Sequence, residues 1–258
     1  MTTHPDIQLD IDGDVAIVRL NRPAKRNALS DALVLAIRDT FQNLPSTVRA
    51  AVLDGAGDHF CAGLDLSELK ERDAGAGLYH SRMWHAALQE VQYGPVPVVA
   101  ALHGAVVGGG LELAASCHIR VADATTFYAL PEGSRGIFVG GGGAVRIPRL
   151  VGAARMADMM FTGRVYQAEE GERAGFAQYL VPAGEAVNKA LELAHRVAQN
   201  APLTNYALMH ALPRIAEQPA DQGFLTEALM AAIAQSAPEA KQRVRDFLEG
   251  RAAKVKKD

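Results

Sequence analysis

The chain has 258 residues and a mass of 27.4 kDa, which against a domain prior of roughly 150 residues predicts one large domain, or one with a helical appendage. Hydrophobic residues make up 49% and charged residues 21%, excluding a mainly disordered or collagen-like chain. A net charge of −3 and a pI near 6.2, with basic residues clustered only from Arg251 to Lys257, leave no phosphate-tracking groove and exclude nucleic acid as the main partner.

Val15 to Leu20 reads as a strand, Asn21 to Pro23 as its stop, and a helix starts near Ser30. Leu33, Ala36, Ile37, Thr40, Phe41 and Leu44 recur three and four apart, giving that helix one apolar face, with Ser30 or Asp31 as its cap. Ala50 to Leu53 is a short buried strand. Phe60 to Leu66 leads into a polar, glycine-containing stretch through Gly77, expected to be mobile. Tyr79 to Val91 reads as a second helix, and Pro95 to Leu102 as a strand covered on both faces.

Glycines 104 and 108 to 110 then open a helix over Leu111 to Cys117, followed by a strand over Ile119 to Ala122 and a further segment from Phe127 to Glu132. The recurrence of strand, glycine turn and helix predicts an α/β fold without a fixed-period repeat. Beyond Gly175 helical patterns dominate. Val187, Ala190, Leu191, Ala194, Val197 and Ala198 share a face, Pro202 and Pro213 bracket a short helix, and Leu225 to Ile233 and Val244 to Leu248 suggest more. The boundary between core and appendage is placed near Asn200. An apolar helical end of this kind predicts self-association.

Two cysteines, Cys61 and Cys117, cannot form a disulfide framework, and the acidic start through Asp14 has no signal-peptide character. Both point to a cytoplasmic protein. The longest apolar stretch, Val96 to Leu111, is broken by Pro97, His103 and glycines, so no membrane span is expected.

Chemistry concentrates in Gly108-Gly-Gly-Leu-Glu112. Three glycines let a helix N-terminus approach a ligand and present unpaired N–H groups to an anion or a developing oxyanion; close packing of strand on helix is the alternative. Glu112 lies on the first turn of an otherwise apolar helix, where it can satisfy N–H groups or do proton chemistry. Glu132 lies in a second apolar, glycine-flanked segment. Two carboxylates in dry surroundings hold one proton between them and act as acid and base on one water. Ala62 to Asp65 can supply a second N–H donor, with Asp65 capping the next turn. Gly140 to Gly143 leaves room for substrate or water, or is simply a turn. Nucleotide fingerprints, a serine elbow and a metal cluster are absent from the sequence, and Trp84 and the Met156, Met159, Met160 group read as core.

Leu20-Asn-Arg-Pro23, Asn27-Ala-Leu29, Phe60-Cys-Ala-Gly-Leu-Asp-Leu66, His103 through Leu113, Pro131-Glu132, Thr162-Gly163 and Ala174-Gly175 together resemble the enoyl-CoA hydratase/isomerase (crotonase) family, in the family's order and over nearly the whole chain. The resemblance implies a crotonase-like α/β spiral of ββα units, with residues 1–200 as the core carrying the CoA and active sites. It implies that residues 201–258 form a helical region driving homotrimers, often paired into homohexamers. The backbone N–H groups of Leu64 and Gly109 would form the oxyanion hole for a thioester carbonyl. Glu112 and Glu132 would activate the water added across a 2,3 double bond, and Gly140 would help place it. Arg26, Ala62, Leu64, Asp65, Leu66 and Gly109 would meet the acyl-CoA substrate, with Phe247 and Arg251 reaching a neighbour's CoA site. No cofactor and no metal are implied, coenzyme A being part of the substrate.

The implied activity is hydration of a short- or medium-chain 2-enoyl-CoA, a carbon–oxygen lyase reaction. Thioester hydrolysis, double-bond isomerisation and non-catalytic acyl-CoA binding are the alternatives. Val139 stands where hydratases commonly carry proline, the stretch Glu132 to Gly143 is unusually glycine-rich, and Tyr128-Ala-Leu-Pro-Glu-Gly133 through Gly143 is similar to the branch that includes methylthioacryloyl-CoA hydratase, a bifunctional enzyme.

Overall fold

The structure, a computed structural model, describes residues 4–68 and 71–251. The basic cluster beyond Arg251 and the first three residues of the acidic start lie outside the described residues. The chain divides into two compact units, Met1–Ala198 and Gln199–Asp258.

The first unit opens with β1 (Ile7–Asp12), paired antiparallel with β2 (Val15–Leu20) so that Ile7 faces Leu20 in register. The sequence reading began at β2; the alternation of Ile7, Leu9 and Ile11 with polar residues is the period-two signal for the strand it passed over. Helix α1 (Asp31–Gln42) starts where Ser30 Oγ accepts the N–H of Leu33 at 3.1 Å, a side-chain cap, and buries Leu33, Val34, Ile37 and Phe41. After β3 (Ala50–Gly55), α2 spans Ala74–Tyr93. It therefore begins five residues before the expected Tyr79 and takes in glycines 75 and 77, because Asp73 caps the N–H of Ala76 at 2.7 Å.

Strand β4 (Val98–Leu102) is followed at once by β5 (Ala105–Val107), where a glycine turn alone was expected, and then by α3 (Gly109–Ser116). β6 (Ile119–Asp123), β7 (Phe127–Ala129), α4 (Gly143–Val151), α5 (Ala153–Thr162), β8 (Tyr166–Gln167), α6 (Ala168–Ala174), β9 (Tyr179–Val181) and α7 (Ala186–Ala198) complete the unit. One sheet runs β1-β2-β3-β4-β6-β9, parallel from β2 onward, and a second runs β5-β7-β8.

Alternating side chains divide the core between the two faces of the larger sheet. Ala16, Val18, Leu20, Val98, Ala100 and Leu102 join α1, α2 and α3 on one face, while Val15, Val52, Val99 and Ala101 pack against Ala190, Leu193 and Ala194 of α7 on the other. Covering both faces is what a parallel sheet requires, and it accounts for the continuous apolar run at β4.

The second unit is helical: α8 (Pro202–Tyr206), a π-turn over Ala207–Ala211, α9 (Leu212–Ile215), α10 (Ala220–Ser236) and α11 (Pro238–Leu248). Pro213 ends no helix, contrary to expectation. It sits in the first turn of α9, directly after the π-turn that closes with Leu212 N–H donating to the Ala207 carbonyl. Phe224, Leu225, Leu229 and Ile233 of α10 are exposed on the chain. No helix among the described residues is long and apolar enough to cross a membrane.

Candidate active site

The glycine run before Glu112 is compelled by close approach. Gly108 turns the chain with φ of 52°, a conformation side chains disfavour, and delivers it into α3. At Gly110 a Cβ would lie 2.3 Å from the backbone oxygen of Cys61, so only glycine fits there. The run thus packs tightly, and Gly109 at the start of α3 lines a cavity.

That cavity holds about 260 Å³ and is lined by Leu64, Gly109, Glu112, Glu132 and Gly140, together with Trp84, His80, Arg72, Ser81 and the apolar Ile137, Phe138 and Val139. The structure thereby brings together residues far apart in sequence, from Leu64 to Gly141.

Glu112 is buried, but it does not cap its own helix as the sequence allowed. Its Oε1 accepts the N–H of Gly141 at 2.8 Å and of Gly143 at 2.7 Å, the latter opening α4. A Cβ on Gly143 would lie 2.8 Å from Oε1, so the four-glycine loop can close around the carboxylate only because it lacks side chains. Arg146 braces the loop from behind, its Nη1 donating to the Gly141 carbonyl at 3.0 Å and its Nε to Gln92 Oε1 at 2.7 Å. Burial pushes the Glu112 carboxyl up to about 7, with the charge of Glu132 adding to the rise and the two N–H donors and Arg146 opposing it.

Glu132 directly precedes a single helical turn (Gly133–Arg135) and is buried. Its Oε2 has no hydrogen-bond partner, although it is shielded from solvent. Such an orphaned carboxylate oxygen is costly unless a water, a proton or a ligand meets it. Burial raises its pKa, opposed by its own backbone N–H and by Arg135. Burial thus raises both carboxyls above their ordinary range.

The backbone N–H groups of Leu64 and Gly109 lie side by side. A Cβ on Gly109 would be 3.5 Å from Leu64 N, and one on Gly63 would be 3.4 Å from Gly109 N. Leu64 is fixed by a parallel bridge to Leu29, in which Leu29 N–H donates to Gly63 and Asp65 N–H donates to Leu29, so the Leu64 N–H points the other way. Gly109 is the first residue of α3, with no acceptor one turn before it. Two neighbouring, uncommitted N–H donors can stabilise an oxygen that gains negative charge.

Trp84, read from sequence as core, is buried, yet it also forms the cavity wall, its ring packing against Gly109 and Gly141. Its Nε1 donates to Asp31 Oδ1 at 3.0 Å, His80 Nε2 meets the same oxygen at 2.7 Å, and Arg72 Nη2 stands 3.7 Å from Asp31 Oδ2. Partial burial would raise the Asp31 pKa, but the hydrogen bonds from Trp84 and His80 outweigh it and keep the carboxyl below its usual range. Sequence reasoning missed this cluster: its members lie on α1, on α2 and just before it, and only an i, i+4 spacing of His80 and Trp84 hinted at a shared face.

The remaining site residues lie apart from the cavity lining. Arg26 is exposed, in a left-handed conformation with φ of 50°, and its carbonyl accepts the N–H of Ala62 at 3.0 Å. Asp65 is buried, pairs with Arg22 at 2.9 Å and caps Ser67. Hydrogen bonding from Ser67, aided by Arg22 and Lys25 and opposed by burial, lowers its carboxyl to about 2. Asp65 thus organises the loop that presents Leu64, while Leu66 is exposed. Phe247 is exposed and Arg251 pairs with Asp246 and Glu249 of the same unit. Cys61 and Cys117 are free and buried, and burial pushes both thiols up to about 12, too high for nucleophiles. No group of three metal-binding side chains occurs among the described residues.

The fold is the crotonase fold, with a glycine-lined cavity. A sequence model of the enoyl-CoA hydratase/isomerase family matches residues 10–258, and the chain belongs to that family. It is 61% identical to a solved structure from Rhodopseudomonas palustris CGA009, provisionally named an enoyl-CoA hydratase, with a TM-score of 0.93 and 97% of each chain covered. It is 31% identical to the short-chain-enoyl-CoA hydratase of Clostridium acetobutylicum, covering 95% of both chains. It is also 31% identical to the 2,3-dehydroadipyl-CoA hydratase of Escherichia coli, over 92% of this chain and 93% of that one.

Proposed function

We propose that the protein adds water across the 2,3 double bond of a 2-enoyl-CoA thioester. The observation that carries this reading is the pair Glu112 and Glu132 on one cavity wall with the free N–H groups of Leu64 and Gly109. The thioester oxygen rests on the two N–H groups, which stabilise the enolate as a hydroxyl adds at Cβ. One glutamate takes the proton of the water and the other gives a proton to Cα, so atoms and charge balance with no redox partner. Glu112 is held by Gly141 and Gly143, and the unpartnered Oε2 of Glu132 is free to bind the water or hold the proton. Gly140, on the same wall, helps position that water.

Arg26 and the Ala62 to Leu66 loop are assigned to the coenzyme A portion, Arg26 to its phosphates. The exposed apolar residues of α10 are assigned to assembly into trimers or hexamers. The family does not choose the acyl chain, since relatives at equal identity carry names for a short chain and for a dehydroadipyl group.

The test is substitution of each carboxylate. Glu112→Gln and Glu132→Gln should each lower kcat on crotonyl-CoA by about a hundredfold or more, the range of general acid–base catalysis, while CoA-ester binding by calorimetry persists. Hydration at the wild-type rate by both variants would exclude the mechanism.

A further inference from the structure

We propose that Arg72, which meets Asp31 together with His80, recognises a carboxylate at the far end of the acyl chain, so that the substrate is a 2-enoyl-CoA with an acidic terminus. The inference rests on the hydratase reading of the same cavity. A pocket for a plain fatty chain gains by being apolar, and an alkyl chain laid against a guanidinium strips its water without returning a hydrogen bond. Here the wall carries Arg72, His80 and Ser81.

The guanidinium of Arg72 is poised rather than consumed. Among the described residues its one ion-pair contact is with Asp31 at 3.7 Å, longer than a hydrogen bond, so its donor fork is not spent on them. Asp31 is committed elsewhere, its Oδ1 taken by Trp84 and His80. Its N–H donates to Glu68 Oε2 at 3.1 Å. Neither Asp31 nor Glu68 lines the cavity, whereas Arg72, His80 and Ser81 do. Asp31 therefore holds Arg72 from behind, and the guanidinium lines the cavity.

Trp84 fixes where this wall stands. Its ring packs on Gly109 and Gly141, next to the oxyanion donors and the glutamates, and its Nε1 points to Asp31. The Arg72 cluster thus gathers around Asp31, at the end of the indole away from the reacting carbons. A carboxylate meeting Arg72 there can be held in a two-bond fork, which a lysine cannot reproduce.

The experiment compares two six-carbon substrates, 2-hexenoyl-CoA and the 2-enoyl-CoA ending in a carboxylate, and the saturated analogue of each. The wild type should favour the carboxylated enoyl substrate by at least tenfold in kcat/KM and bind its saturated analogue correspondingly tighter by calorimetry. Arg72→Met should bring both ratios to about one, and Arg72→Lys should restore them only in part. Equal preference in the wild type, or equal losses on both substrates in Arg72→Met, would overturn the proposal. Preferential binding of the carboxylated saturated analogue with no hydration of either enoyl substrate would uphold the recognition and sink the hydratase reading instead.

Discussion

Glu112 Oε1 accepts the backbone N–H of Gly143 at 2.7 Å across 31 residues of sequence. The bond ties the first turn of α3 to the start of α4 through a buried carboxylate. The Gly141 N–H goes to the same oxygen, and no hydrogen bond to Oε2 occurs among the described residues.

Replacing Gly143 with alanine tests this tie. The new Cβ would come within 2.8 Å of Oε1 and 2.9 Å of Cγ, so the Glu112 side chain must move while the backbone at 143 accepts the change. Gly143→Ala should lower kcat by about tenfold or more, since displacements of this order at a reacting group carry such penalties. Urea midpoints should stay near wild type. Full activity in this variant would show that the Gly143 contact does not position the carboxylate.

The raised pKa of Glu112 carries a stability cost with a definite sign. Its folded value of about 7 lies above the ordinary 4.5, so the folded state holds the proton more tightly than the unfolded chain. Stability from this group is present below pH 4.5 and is lost as pH rises to about 7, a change of about 3 kcal/mol. Glu112→Gln keeps an oxygen for the two N–H donors and has no proton to lose. Urea unfolding should therefore find Glu112→Gln more stable than wild type at pH 8 and the difference shrinking toward pH 4.5. A difference independent of pH would refute the assignment.

The exposed Leu225, Leu229 and Ile233, four residues apart on α10, share a face that a solitary chain would hold in water. Sedimentation equilibrium at micromolar concentration should give three or six copies. The double variant Leu225→Asp, Leu229→Asp should shift the distribution toward smaller species. A wild-type monomer would remove assembly from the account.

Much of this architecture was legible in the sequence because its signals are local. The apolar run at β4, the face of α1 with its Ser30 cap, and the glycines opening α3 each follow from residues within one element. Two features escaped although their signals are local, the period-two alternation of β1 and the Asp73 cap that starts α2 on a glycine-bearing turn. The rest depends on partners far along the chain, as the short strand β5 exists through its pairing with β7. For Glu112 the sequence offered helix capping or catalysis; its acceptance of N–H groups from a different helix could be found only in three dimensions. The Trp84, Asp31, His80 and Arg72 cluster was hidden for the same reason, its four members spanning two helices and a loop.

The most direct test of the central claim follows the absorbance of the conjugated enoyl thioester alongside a free-thiol assay, using purified protein with crotonyl-, octenoyl-, carboxylated six-carbon and methylthioacryloyl-CoA. Loss of enoyl absorbance without thiol release, with one 3-hydroxyacyl-CoA formed per enoyl group lost, is the predicted result. Thiol release in step with substrate loss, or unchanged absorbance with every substrate, would contradict it.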